Sequence, residues 1–184
     1  MDAAKRSLIL KVISPLFIIV VIFGIYLYKN AGRDEVLENP KVEDSVSDTA
    51  ENLPFEITSI DLNKMKSYGL PFMIDFGSED CPPCRKMAPE LKSVHDGLKG
   101  KAIVQYVDVW AHTDAAKDFP LSVIPTQAFF NADGSPFVPS DELAKEIEFL
   151  KYSNQNSNEH ALTMHQGGLT EEQMLRIFAE MGVK

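Results

Sequence analysis

The sequence predicts a mixed α/β domain preceded by a membrane-spanning helix. Three observations lead there. A long apolar run lies near the N-terminus; short apolar runs alternate with amphipathic helical patterns from residue 53 onward; and a C-x-x-C pair stands between one such run and the helix after it. The 184 residues suit one domain of ordinary size plus an accessory segment. A net charge of −9 excludes nonspecific nucleic-acid binding, which needs a basic face. The two cysteines are too few for a secreted disulfide scaffold and supply only half the ligands of a structural zinc site.

Residues 7–28 carry a single charge, Lys11, and residues 12–28 are apolar apart from Ser14. About 20 such residues cross a hydrocarbon core of roughly 30 Å. Pro15 sits near one end, where a missing backbone donor is tolerated, and Tyr26 and Tyr28 suit the interfacial belt. Lys5, Arg6 and Lys11 precede the run while Lys29 and Arg33 follow it. That bias points the short N-terminus to the cytoplasm and the rest of the chain to the extracytoplasmic (periplasmic or extracellular) face of a cell membrane. The run ends in Tyr26-Leu27-Tyr28-Lys29, without the small residues of a signal-peptidase site, so residues 1–29 read as a retained single-pass anchor. Residues 30–52 hold seven acidic side chains and few large apolar ones, the composition of a solvated tether. Residues 53–184 form the expected folded domain.

Within it, residues 58–68 read as a helix, with Ile60, Leu62 and Met65 apolar and Gly69 as its stop. Phe72-Met73-Ile74-Asp75-Phe76 is a buried strand. Residues 84–98 predict a helix through Met87, Leu91, Val94 and Leu98, ended at Gly100 and kinked by Pro89. Strands follow at 102–108 and 127–130, then a turn at Asn131-Ala132-Asp133-Gly134. Residues 141–150 carry Leu143, Ile147 and Leu150 at helical spacing, 153–159 are loop-like, and 161–164 suit one more strand. Thr170-Glu171-Glu172-Gln173 has the form of a capping box, with Leu169 and Met174 as its hydrophobic staple. The buried stripe of that last helix is Met174, Ile177, Phe178 and Met181.

Cys81-Pro82-Pro83-Cys84 opens the helix that follows the first strand. A cysteine there meets unpaired backbone N–H groups and the positive end of the helix dipole, both of which favour the thiolate. Pro83 fits a first turn, where no backbone donor is needed. Cys81 is therefore expected as the exposed nucleophile, and Cys84, one turn on, as the thiol that attacks a mixed disulfide and releases the partner. Two buried inert thiols, or half of a metal site, are the alternatives that spacing alone leaves open. His95, His112, His160 and His165 share no helical spacing and read as structural or exposed. Trp110 suits either the core or the rim of the site.

From about residue 55 to the end the chain resembles the thioredoxins, at four points. Ile74-Asp75-Phe76 matches the family's buried acidic strand, and Asp75 falls where a carboxylate lies beneath the active site. Cys81 through Pro89 matches the redox motif and its helix-kinking proline. Val123-Ile124-Pro125-Thr126 is similar to the cis-proline loop that faces the cysteines, and Gly167-Gly168-Leu169-Thr170 to the turn into the last helix. The resemblance implies a thioredoxin fold, a central mixed sheet flanked by helices. It also implies a redox-active Cys81–Cys84 disulfide, Asp75 assisting proton transfer, Pro125 shaping the substrate groove, and Ile124 and Thr126 contacting an extended partner. No cofactor or metal is expected.

The chain departs from the family in places. Asp80 stands where thioredoxins commonly carry tryptophan, and together with Pro82 and Pro83 it defines a different active-site loop. Tyr106 stands where they place a lysine near the buried carboxylate. The Pro-Pro dipeptide is closer to the membrane-tethered, extracytoplasmic reductases of cytochrome c maturation. Those usually carry an insertion before the cis-proline, whereas here residues 137–165 form one after it, either covering a partner site or padding the sheet edge. The reading that follows is a thiol-disulfide oxidoreductase reducing disulfides of exported proteins, re-reduced by a transmembrane electron donor. An oxidant or isomerase of the same fold, and a non-enzymatic binding module with a structural cysteine pair, are the alternatives.

Overall fold

The computed structural model describes residues 49–184. The expected anchor at 1–29 and the tether up to residue 48 lie outside the described residues. Among the described residues no helix is long and apolar enough to cross a membrane.

The chain runs through α1 (Leu62–Ser67), β1 (Phe72–Gly77), α2 (Pro82–Gly97), β2 (Ile103–Asp108), β3 (Thr126–Phe130), α3 (Leu143–Glu146), β4 (Leu150–Ser153), β5 (His160–Gln166) and α4 (Glu171–Glu180). The five strands form one sheet in the order β2-β1-β3-β5-β4. β1 is parallel to β2, and the remaining pairs are antiparallel. Every residue of β1 and β3 is buried, as central strands covered on both faces require.

Strand alternation divides the core into two layers. Met73, Val104 and Phe129 pack with Met87, Leu91 and Val94 of α2 and with Met174, Ile177 and Phe178 of α4. On the other face Phe72, Ile74, Phe76, Ala128 and Phe130 pack with Met65 of α1. α2 continues through Pro89 as one helix. α4 begins as its sequence predicts: Thr170 accepts from the Gln173 N–H and Gln173 returns the bond to the Thr170 N–H, a full capping box.

Two expected elements differ. The helix expected at 58–68 starts only at Leu62, because Asp61 is extended and its carboxylate caps the Lys64 N–H at 2.9 Å, with the chain bent at Thr58 and Ser59 before it. Glu56, just upstream, forms a parallel bridge with Tyr106 instead. The helix expected at 141–150 is a single turn, α3, and Ile147 is already extended. Leu143 and Ile147 are buried as their spacing suggested, but Leu150 opens the strand β4. This hairpin of β4 and β5 places residues 150–153 on the outer edge of the sheet, beyond β5.

Candidate active site

The cysteine pair stands at the C-terminal end of β1, where the chain leaves the sheet and turns into α2. Cys81 is the N-cap of α2; its sulfur accepts the Cys84 N–H at 3.4 Å, and Pro82 and Pro83 fill the first turn. The two cysteines are joined as a disulfide with their Cα atoms 5.3 Å apart. The expected exposure of Cys81 is not seen: the pair is 4% and 5% exposed. The reason is the loop across from it. The Ile124 carbonyl lies 3.7 Å from the Cys81 sulfur, and the Ile124–Pro125 peptide is cis. What distinguishes the two sulfurs is therefore their surroundings. Cys81 lies against the Ile124 backbone, and Cys84 lines one cavity together with Asp75.

Pro125 is buried, Ile124 half-buried and Val123 exposed, so the loop presents Val123 and Ile124 outward. Thr126, expected to touch a partner, is fully buried, and its hydroxyl donates to the Val123 carbonyl at 2.7 Å. It braces the loop from behind, as the first residue of β3. The Gly167 N–H donates to the Pro125 carbonyl at 2.9 Å, and Gly167 has φ +115°, a conformation that suits glycine. Asp80, Pro82 and Pro83 are exposed around the cysteines.

Asp75 is 1% exposed, and its carboxylate accepts from the Gln127 Nε2 at 2.8 Å. Burial pushes its carboxyl up to about 7, against the lowering effect of the Gln127 bond. Gly77 lets the surrounding groups converge. A Cβ built there would lie 2.9 Å from the Tyr106 ring and 3.5 Å from both the Asp75 Oδ2 and the Cys84 Cβ. Tyr106, paired with Asp75 across β1 and β2, is a phenol that burial and the carboxylates of Asp108 and Asp75 hold above its ordinary range. A cavity of about 550 Å³ lies beside Asp75 and Cys84, walled by Phe55, Arg85, Pro89 and Tyr106 among others.

Two contributors escaped the sequence reading. Gln127 lies in a strand buried on both faces, where a polar side chain needs a partner; that is the signal that could have found it. Asp108, at the end of β2, ties down the approach to Cys81. Its carboxylate accepts from the N–H groups of Trp110 and Ala111 at 2.9 Å and of Glu79 at 3.1 Å. Burial works to raise its carboxyl, but those N–H groups and the Ser78 hydroxyl outweigh it and hold the group below the usual carboxylate range. Arg85 adds a bond to the Glu79 carbonyl at 2.9 Å. Trp110 itself is 59% exposed, a rim residue. Asp108→Ala is expected to cost about 2–3 kcal/mol, because it leaves backbone donors unpaired. Because the folded-state value is lowered, the carboxylate's contribution is present at neutral pH and fades as pH falls through it. Chemical denaturation of both chains at neutral and acid pH checks this.

The histidines do not converge. The His95 Nδ1 pairs with the Val104 carbonyl at 2.7 Å and the His165 Nδ1 with the Glu148 carbonyl at 2.8 Å, both serving packing. Among the described residues no three potential metal ligands cluster.

Comparison with known proteins agrees with this arrangement. The Thioredoxin family model matches residues 61–151. Thioredoxin of Staphylococcus saprophyticus is 34% identical over 82 residues, covering 41% of this chain and 78% of that protein. Thioredoxin 1 of Chlorobaculum tepidum is 39% identical over 61 residues, 33% of this chain and 60% of that one. The mitochondrial thioredoxin of Bos taurus is 36% identical over 56 residues, 30% of this chain and 34% of that one. The chain thus spans less than two thirds of the length of the latter two.

Proposed function

The chain belongs to the thioredoxin family, and on that premise we propose that it is a thiol-disulfide oxidoreductase acting as a dithiol reductase of exported protein disulfides. The observation that carries this reading is the placement of the cysteine pair. Cys81 caps α2 beneath the Ile124 carbonyl, while Cys84 lines one cavity with a buried carboxyl pushed up to about 7.

In the dithiol form the Cys81 thiolate, stabilised by the helix N-terminus, attacks one sulfur of a partner disulfide. That S–S bond breaks, the partner's other sulfur leaves as a thiolate, and a mixed disulfide joins Cys81 to the partner. Cys84 then passes its proton to Asp75 and attacks the Cys81 sulfur. The Cys81–Cys84 bond forms, the second partner thiolate leaves, and the partner has gained two electrons. Outward-facing Val123 and Ile124 offer backbone to an extended partner segment next to the sulfurs.

The apolar run at 7–28 and the charges flanking it support an anchor with the domain on the extracytoplasmic face, and a transmembrane electron donor restoring the dithiol. A tether keeps the domain at high local concentration near such a donor. Protease protection of the full chain in sealed vesicles tests the orientation: a domain shielded on the cytoplasmic side ends that part of the reading.

The direction of electron flow is tested by equilibrating the full chain with glutathione and dithiol buffers. A two-electron couple near or below about −220 mV is expected. A couple between about −120 and −180 mV makes the chain an oxidant or isomerase, and no reversible couple leaves only a binding module.

A further inference from the structure

We propose that Gln127 is a positioning residue for the Cys84 step: it turns the Asp75 carboxyl so that the oxygen taking the Cys84 proton is Oδ2. This rests on the reading of Asp75 as the acceptor of that proton.

The geometry is specific about which atom does what. The Gln127 amide donates through Nε2 to the Asp75 Oδ1 at 2.8 Å and to the Gly167 carbonyl at 3.2 Å. Both partners are acceptors, so both amide protons are committed and the amide cannot be turned round without losing both bonds. An oxygen that already receives an N–H is a poor place for a proton. Oδ2 is left to take it, and Oδ2 is the oxygen on the side of Gly77, Cys84 and Tyr106. Holding this orientation leaves the Gln127 Oε1 buried with no partner among the described residues. Buried polar atoms are seldom left unpaired, and such exceptions call for an explanation. A side chain serving packing alone would be better apolar at this fully buried position. The Gly167 contact also links the amide to the turn that holds the Pro125 carbonyl, so the acid and the partner loop share one brace.

The charged and titratable groups around Asp75 are few. Tyr106 faces it from β2, Cys84, Arg85 and Lys92 come from α2, and Glu79 lies at the cavity mouth. From β5, His165 stands opposite Gln127, with its Nδ1 engaged by the Glu148 carbonyl. The Gln127 amide is the hydrogen bond to Asp75 that favours its ionised form.

The test uses the full chain in detergent, in its dithiol form, mixed with 5,5′-dithiobis(2-nitrobenzoate) in a stopped-flow instrument. The first release of thionitrobenzoate reports the Cys81 attack, and the second reports the Cys84 step. Gln127→Met removes the amide at nearly constant volume. The second phase should then require a pH higher by about one unit, about a tenfold loss of rate below the midpoint, with the pH midpoint of the first phase unmoved. In an Asp75→Asn background Gln127→Met should shift nothing further. An unchanged second-phase midpoint in a folded Gln127→Met chain overturns the proposal. If Asp75→Asn alone keeps the parent pH profile, the Asp75 reading fails instead, and the two failures are told apart. A second measurement needs no variant. In the unmutated chain the Gln127 side-chain nitrogen resonance should titrate with the midpoint of the Asp75 carboxyl carbon, and a flat response sinks the idea.

Discussion

Replacing Cys84 with serine is expected to turn a turnover reaction into a trap. Cys81 keeps its place at the N-cap of α2, where its sulfur accepts a backbone N–H and lies beneath the Ile124 carbonyl. It can therefore still open a partner disulfide. Serine cannot complete the second exchange, because an alcohol does not ionise appreciably near neutrality and forms no S–S bond. The covalent adduct should accumulate one to one with the chain, while multiple turnover falls to background. Non-reducing gel electrophoresis reads the adduct, and dithiothreitol should release it. Cys81→Ser should give no adduct. If instead Cys81→Ser traps the partner and Cys84→Ser does not, the assigned order of attack is reversed.

The second large effect is Asp75→Asn, which should make the protein more stable and slower at once. The carboxyl rises from 3.8 to about 7 on folding because burial disfavours its charge. The folded state then binds the proton more tightly than the unfolded chain does. Stability is fullest below the unfolded value and is lost as pH climbs through the folded one. A shift of that size corresponds to a loss on the order of 4 kcal/mol by pH 8. Asparagine keeps an oxygen for the Gln127 amide and never ionises. The gain on substitution should therefore be near zero at pH 4 and approach the whole loss at pH 8. Denaturant titrations at the two pH values measure it; an equal effect at both would remove the buried charge as the cause. The Cys84 step, deprived of its base, should slow by about 10²-fold near neutral pH. A functional group that weakens the fold is the pattern expected where stability and chemistry compete for one residue.

Much of this was legible in the sequence wherever one signal acted alone. The strand at 72–76 is continuous, apolar and bounded by turns, and it appears as β1 with one added residue. The last helix carries its start, stripe and stop in the sequence, and the capping box forms as written. Cys81 and Cys84 are legible from their spacing at a helix start, Asp75 and the Ile124–Pro125 loop from the resemblance, and the structure brings them together. Signals failed where two readings competed. Leu143, Ile147 and Leu150 have helical spacing and the first two are buried, yet tertiary pairing with β5 claims Leu150 for a strand. Four residues with one exposed lysine carry too little periodicity to reveal β4. Gln127 and Asp108 were missed for a different reason. Gln127 works through Asp75 and Gly167, both far away in sequence, and Asp108 joins the distant Glu79 to its own neighbours Trp110 and Ala111. The resemblance places Thr126 with Ile124 on the partner surface, but as the first residue of β3 it turns its side chain into the protein.

The hairpin at the sheet margin has a consequence for crowding. An open strand edge can template addition of another sheet. β4 is only four residues long, breaks register between Tyr152 and Ser153, and turns Lys151 to solvent. Brevity, a bulge and a lysine are each known ways of discouraging edge-to-edge polymerisation. The added strand therefore acts as a selvedge: it finishes the weave on the side away from the cysteines, so that neighbouring copies can be packed densely without being stitched together.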